Sequence, residues 1–162
     1  VRRCREALDA TESKVLYVLD RMARVDAAGA VKYKGWMREL YREVELLTGM
    51  TLVNSKDVTD GVIPNYCQPK QVFTQRGEIL SDRTRYLLDC DLFLQMPEGH
   101  QAGLVLHEII YRDALKRKHN NSKYVRMFNG LISSTEMDNL TRKEYKKIRK
   151  KYNLPVYKVR KN

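Results

Sequence analysis

A chain of 162 residues with 43% hydrophobic content is long and apolar enough for one folded domain, which excludes an intrinsically disordered protein. No apolar run approaches the roughly 20 residues that a membrane-spanning helix needs. The net charge of +11 is uneven: residues 112–162 hold 16 of the 31 Lys/Arg and 4 of the 20 Asp/Glu, so the last third alone carries +12.

Two amphipathic helices open the chain. Leu8, Val15, Val18, Leu19 and Met22 recur at helical spacing and predict a helix over residues 6–25. Ala27-Ala28-Gly29 reads as a break. Trp36, Met37, Leu40, Tyr41, Val44 and Leu47 predict a second helix over 32–48, with Gly49 as its stop. Together, residues 1–49 read as an antiparallel helical hairpin.

Helical periodicity disappears between residues 50 and 96. Val72-Phe73-Thr74 and Tyr86-Leu87-Leu88 read as short strands of a small antiparallel sheet. Arg76-Gly77 and Ser81-Asp82 are turn sites, and Leu52-Val53 and Ile79-Leu80 are further strand candidates. Residues 54–69 read as a long loop.

Residues 97–162 return to helix. The third helix runs over 98–118, with Pro97 and Glu98 suited to its first turn. The fourth covers 123–132. Thr141-Arg142-Lys143-Glu144 is a capping box, with Leu140 placed to staple onto Tyr145, and it starts a fifth helix ending near residue 152. The tail after Pro155 alternates apolar and basic residues and reads as an edge strand or a loose end. The whole is a single α+β domain.

The third helix carries the sharpest chemical signal, Leu104-Val105-Leu106-His107-Glu108-Ile109-Ile110-Tyr111-Arg112. A helix-borne zinc site needs two histidines at i and i+4, with the Glu between them as base. Here Tyr111 stands at the second histidine position. His107, Glu108 and Tyr111 are therefore the candidate catalytic residues, and His107 is the candidate metal ligand. A second reading makes the pair a packing device, in which Glu108 pairs with Arg112 one turn on, or with Arg126. The expected cofactor is none, with zinc as the alternative.

A short sheet ending in Tyr86-Leu87-Leu88-Asp89, a connector, then Leu104-Val105-Leu106-His107-Glu108 resembles the strand and active-helix core of zincin metalloproteases over residues 72–118. That resemblance implies a metallohydrolase fold, reduced by the change at position 111. Leu106 to Arg112, followed by Asn121-Ser122 and Val125-Arg126, is similar to uncharacterised exported bacterial proteins. This second resemblance implies a location outside the cytoplasm.

The basic end offers candidate binding residues. Arg112, Lys116, Arg117 and Lys118 lie on the second half of the third helix, and Arg142, Lys143, Lys146, Lys147, Arg149, Lys150 and Lys151 cover the fifth. Tyr145, Tyr152 and Tyr157 are interleaved with them, which suits stacking on sugars or bases. A field this one-sided favours an anionic polymer such as a cell-wall glycan, a lipid surface or nucleic acid, or an acidic partner protein. The competing reading is a solvated lysine-rich surface.

Three cysteines allow one disulfide. Cys67 and Cys90 bracket the expected hairpin and are the candidate pair; in a reducing compartment all three are thiols. The first residue is Val1, which suggests a chain from which a leader has been removed. The sequence thus predicts an exported, non-enzymatic binding protein, with a degenerate zincin-like hydrolase as the alternative.

Overall fold

The computed structural model describes residues 1–52, 70–76 and 84–158. Helices α1 (Arg2–Ala10), α2 (Glu12–Ala23) and α3 (Ala27–Glu43) open the chain. The first predicted helix is thus divided at Thr11. Its hydroxyl donates to the Leu8 carbonyl at 2.6 Å and lies 2.6 Å from the Tyr41 hydroxyl. A side chain that competes for backbone groups is a common cause of such a bend.

Ala27-Ala28-Gly29 is a helix start rather than a break. The Asp26 carboxylate caps α3 by accepting from the Gly29 amide at 2.8 Å. A Cβ at Gly29 would lie 2.2 Å from the Asp26 carboxylate, so this close cap requires glycine. The far end of α3 also departs from expectation. The helix stops at Glu43, and Glu45–Leu47 form strand β1.

Strand β1 pairs in parallel with β3 (Tyr86–Asp89), and β2 (Phe73–Gln75) pairs with β3 antiparallel. The sheet order is β1-β3-β2, so this small sheet is mixed. Gly49 follows β1 with φ +67, a left-handed conformation that favours glycine, and its amide donates to Asp91 at 2.8 Å. The expected turn sites, the accessory strands and the 54–69 loop lie wholly or partly outside the described residues.

Asp89 ends β3 and caps the short α4 (Cys90–Phe93) through a bond from the Leu92 amide at 3.1 Å. Next come α5 (Glu98–Lys116), α6 (Lys123–Ile132), a 3₁₀ turn (Thr135–Asn139) and α7 (Arg142–Lys151). The α7 capping box is present, with Glu144 N to Thr141 Oγ1 and Thr141 N to Glu144 Oε1 both at 3.1 Å. Leu140 packs on the core beside it.

Helix α5 is the axis of the domain. Val105, Ile109, Ile110 and Ala114 are fully buried. It contacts α2, α3, α6 and β2. Phe73, Phe93 and Phe128 are closed off from solvent around it. Each contributes roughly 1.5–3 kcal/mol by burial. The fold is α+β, and no helix among the described residues is long and apolar enough to cross a membrane.

The disulfide joins Cys4 to Cys90, not Cys67 to Cys90. Both cysteines are fully buried. Cys67 lies outside the described residues. Proximity in sequence favoured the wrong pair, because α1 and the end of the central strand meet only once the fold is formed.

Candidate functional site

The helix α5 segment brings His107, Glu108 and Tyr111 together. Glu108 is 4% exposed. Its Oε2 accepts from Gln75 Nε2 at 2.8 Å, and the same nitrogen donates to the Glu108 backbone carbonyl at 2.8 Å. Gln75 lies on β2, so Glu108 fastens α5 to the sheet. His107 Nδ1 stands 3.4 Å from Glu108 Oε1, too long for a good hydrogen bond. That nitrogen is buried and has no hydrogen-bond partner among the described residues. The Tyr111 ring stacks on the imidazole, with centroids 5.9 Å apart and planes 23° apart.

Neither expected ion pair of Glu108 forms. Arg112 turns the other way and pairs with Glu39 on α3, with its guanidinium 4.7 Å from the Trp36 ring centre. Arg126 donates to Ser122 Oγ at 2.8 Å. The two side chains are one turn apart, but each has a competing partner from another element: Gln75 on β2 takes Glu108, and Glu39 on α3 takes Arg112. Among the described residues no group of three His, Cys, Asp or Glu side chains is placed to hold a metal ion. The Glu108 carboxylate is thus held by Gln75, and a phenol stacks on the imidazole.

Arg149 was expected on the exposed basic face. It is fully buried instead. Its Nη2 lies 3.0 Å from Asp113 Oδ2, and its Nη1 donates to the Tyr33 hydroxyl at 2.6 Å. Tyr33 in turn donates to Asp113 Oδ2 at 2.6 Å, and Tyr157 donates to Asp113 Oδ1. Two further bonds run from Arg149 to the Pro155 carbonyl, at 2.9 and 2.5 Å. Burial alone would pull the guanidinium down, but the Tyr33 and Tyr145 phenols and Asp113 outweigh it and hold Arg149 above the ordinary arginine range. The network satisfies each charge at several points, as a buried ion pair requires. Tyr145 lies beside it and donates to Asp26 at 2.6 Å. A signal was present in the sequence: Arg149 is four residues after Tyr145 and so falls within that helix's own apolar stripe.

Arg112, also a binding candidate, is half-buried and spent on Glu39 rather than offered to solvent; the remaining basic candidates are exposed. Arg142, Lys143, Lys146, Lys147, Lys150 and Lys151 occupy the solvent side of α7, and Lys116, Arg117 and Lys118 the end of α5. None of the six on α7 forms an ion pair among the described residues. The one acid on α7, Glu144, is engaged in the capping box, and its hydrogen bonds with Thr141 hold its carboxyl below the usual range. Lys116 Nζ sits 4.6 Å and Lys32 Nζ 5.6 Å from the Trp36 ring centre. Burial, then the neighbouring Lys32 charge, draws Lys116 below the ordinary lysine range. The surface is therefore strongly net positive, with six cations on α7 against the single carboxylate of Glu144.

Cavities lie elsewhere. A groove of about 460 Å³ between α2, α5 and α6 is walled by Val15, Val18, Ala102 and Leu106, and neither His107 nor Glu108 lines it. A smaller cavity of about 270 Å³ lies where α5 ends, α6 begins and α7 ends. No protein-family model matches the chain, nor does any curated protein or solved structure. The likeness to zincins thus rests on the strand, connector and helix pattern of residues 72–118 alone.

Proposed function

We propose that this is an exported or envelope-associated, non-enzymatic protein that binds an anionic polymer through its basic C-terminal third. One observation carries the reading. Helix α7 docks through Tyr145, Ile148 and Arg149, and leaves six cations on its outer side without acidic partners among the described residues. A polyanion lying along that helix gains several attractions at once and releases its counterions. The buried Cys4–Cys90 disulfide supports an oxidising compartment.

The test is retention of the purified protein on an anionic resin, followed by titration with a soluble polyanion at rising salt. Binding is expected to weaken steeply with salt. Joint replacement of Lys146, Lys147, Lys150 and Lys151 by Ala is expected to weaken it without lowering thermal stability. Binding indifferent to salt and to these replacements would overturn the reading. The alternative, a reduced zincin-like hydrolase centred on His107 and Glu108, has one observation in its favour: the buried His107 Nδ1 without a hydrogen-bond partner.

A further inference from the structure

The small cavity at the end of α5 has a composition unlike the rest of the surface. Lys118, His119, Asn120, Asn121, Tyr124 and Asn153 line it. Three of the six are carboxamides. Tyr124 is 39% exposed. It stacks on Tyr152 with centroids 5.5 Å apart and planes 19° apart, and meets His119 edge-on at 6.2 Å. Tyr152 fixes the orientation of the ring while leaving part of it in solvent. His119 Nε2 lies 2.8 Å from the Asn153 carbonyl and ties the two walls together.

Two helices terminate here in the same way. Lys118 has φ 56 and Asn153 has φ 51, each just past a helix end. The His119 amide closes back onto Ala114, and the Leu154 amide onto Arg149. These closures are the usual left-handed caps. They satisfy some of the last-turn carbonyls, and a helix end leaves four in all without partners inside the helix. Carbonyls and carboxamide oxygens accept hydrogen bonds. They suit hydroxyl donors and disfavour a bare anion, because the C-terminal end of a helix is partially negative.

We infer that this cavity is a subsite for a single sugar ring of an anionic glycan. The inference rests on the proposed polyanion binding and specifies its ligand. The chemistry divides between two places. Sugar hydroxyls bond Asn120, Asn121, Asn153 and the helix-end carbonyls, and the ring's C–H face lies on Tyr124. The anionic substituents of the chain meet Lys118 here and Lys150 and Lys151 on the adjoining end of α7. The Asn120 and Asn153 side-chain amides and the Tyr124 hydroxyl make no hydrogen bond among the described residues, and the Asn153 carbonyl is taken by His119; these three side-chain groups can therefore bond a ligand. The volume, about 270 Å³, is near the roughly 300 Å³ lower end of small-ligand pockets and fits one ring rather than an extended ligand. A nucleobase fits less well. Its few polar edge groups use less of the wall of amides and carbonyls opposite Tyr124 than the several hydroxyls of a sugar do.

The experiment compares polygalacturonate, inorganic polyphosphate and single-stranded DNA on the full chain by calorimetric titration at one salt concentration. Polygalacturonate is expected to bind about tenfold tighter than polyphosphate of matched charge, a difference of about 1.4 kcal/mol. Tyr124→Ala is expected to remove that advantage and leave polyphosphate binding unchanged. Tyr124→Phe should keep most of it, and Asn120→Ala should lose part of it. Tyr124→Phe and Asn120→Ala keep the test open if Tyr124→Ala does not fold. Equal binding of the two polymers with no effect of the cavity variants would overturn the subsite and leave the basic surface standing. Failure of all three polymers at low salt would overturn the polyanion reading, and the subsite with it. A Tyr124-dependent preference for DNA would overturn the assignment to a glycan.

Discussion

Arg149 and Asp113 form an ion pair at 3.0 Å with both side chains shut away from water. It ties α7 to α5, and through Tyr33 it reaches α3. The C-terminal segment closes it, through Pro155 and Tyr157. Removing one partner strands the other as a buried charge. Arg149→Met is therefore expected to cost about 3–5 kcal/mol in urea unfolding. Arg149→Lys should also be costly, because an ammonium cannot reproduce the forked contacts. Arg149→Met combined with Asp113→Leu should recover part of the loss. A single variant within about 1 kcal/mol of the parent would show that the pair is not closed off in solution.

The disulfide spans a sequence separation of 86 residues. Cross-linking a loop of that size restricts the unfolded chain by about 4.6 kcal/mol in the chain-entropy account. Cys4→Ser is expected to lower stability by up to that amount. With Cys4 joined to Cys90, the unreduced, denatured protein should show one free thiol, at Cys67. Non-reducing peptide mapping checks the pairing, and a Cys67–Cys90 peptide would contradict it.

If the protein is a non-enzymatic binder, mass spectrometry of the untagged, dialysed protein should find no stoichiometric metal. Close to one zinc per chain would favour the hydrolase reading instead. Glu108→Gln keeps an oxygen that can accept from Gln75, and it is expected to cost little stability. Glu108→Ala leaves Gln75 Nε2 with the backbone carbonyl alone, and should cost about 1–3 kcal/mol.

Alkaline pH should unfold this protein through its tyrosines. Burial above all pushes the phenols of Tyr33, Tyr145 and Tyr157 up, and pushes Tyr86 up to about 12. A tyrosine ionises near ~10 in an unfolded chain. Each raised phenol therefore stabilises the fold fully below that pH, and the contribution is lost as pH rises through the folded value. Denaturant midpoints should be flat with respect to these groups up to about pH 10 and fall beyond it. Ultraviolet titration should show the buried phenolates appearing together with the loss of structure. Smooth ionisation of every tyrosine in the folded protein would contradict this.

The helices after Pro97 were legible in the sequence because their signals are local. The 123–132 stripe and the Thr141 capping box fix α6 and α7 within a few residues of chain. The N-terminal half was harder for the opposite reason. Val44 and Leu47 continue the apolar stripe of α3, yet Glu45–Leu47 turn into a strand because β3 offers a parallel partner some 40 residues away. Asp26 could have been read as the cap it is, with an amide to receive three residues on. The His107–Glu108 segment was correctly placed on a helix facing the core. Its true partner, Gln75, comes from a distant strand, and no spacing rule relates the two. Arg149 was misplaced because charge was weighed above its position in the apolar stripe. The Tyr124 cavity is built from three chain segments; of its lining residues the basic pattern points to Lys118 alone, and Tyr152, which backs Tyr124, is marked only as one of the interleaved tyrosines.

The Cys4–Cys90 bond closes the chain into a covalent ring that holds residues 5–89, while everything after α4 hangs from it as a single arm. A protease that cuts once inside the ring leaves one molecule, visible as two pieces only after reduction. A cut beyond Cys90 leaves a fragment with no covalent tie to the ring, so denaturation alone separates it, without a reductant. Since the positive charge is concentrated after residue 111, the most basic part of the protein is held to the rest by one stretch of backbone and by packing alone.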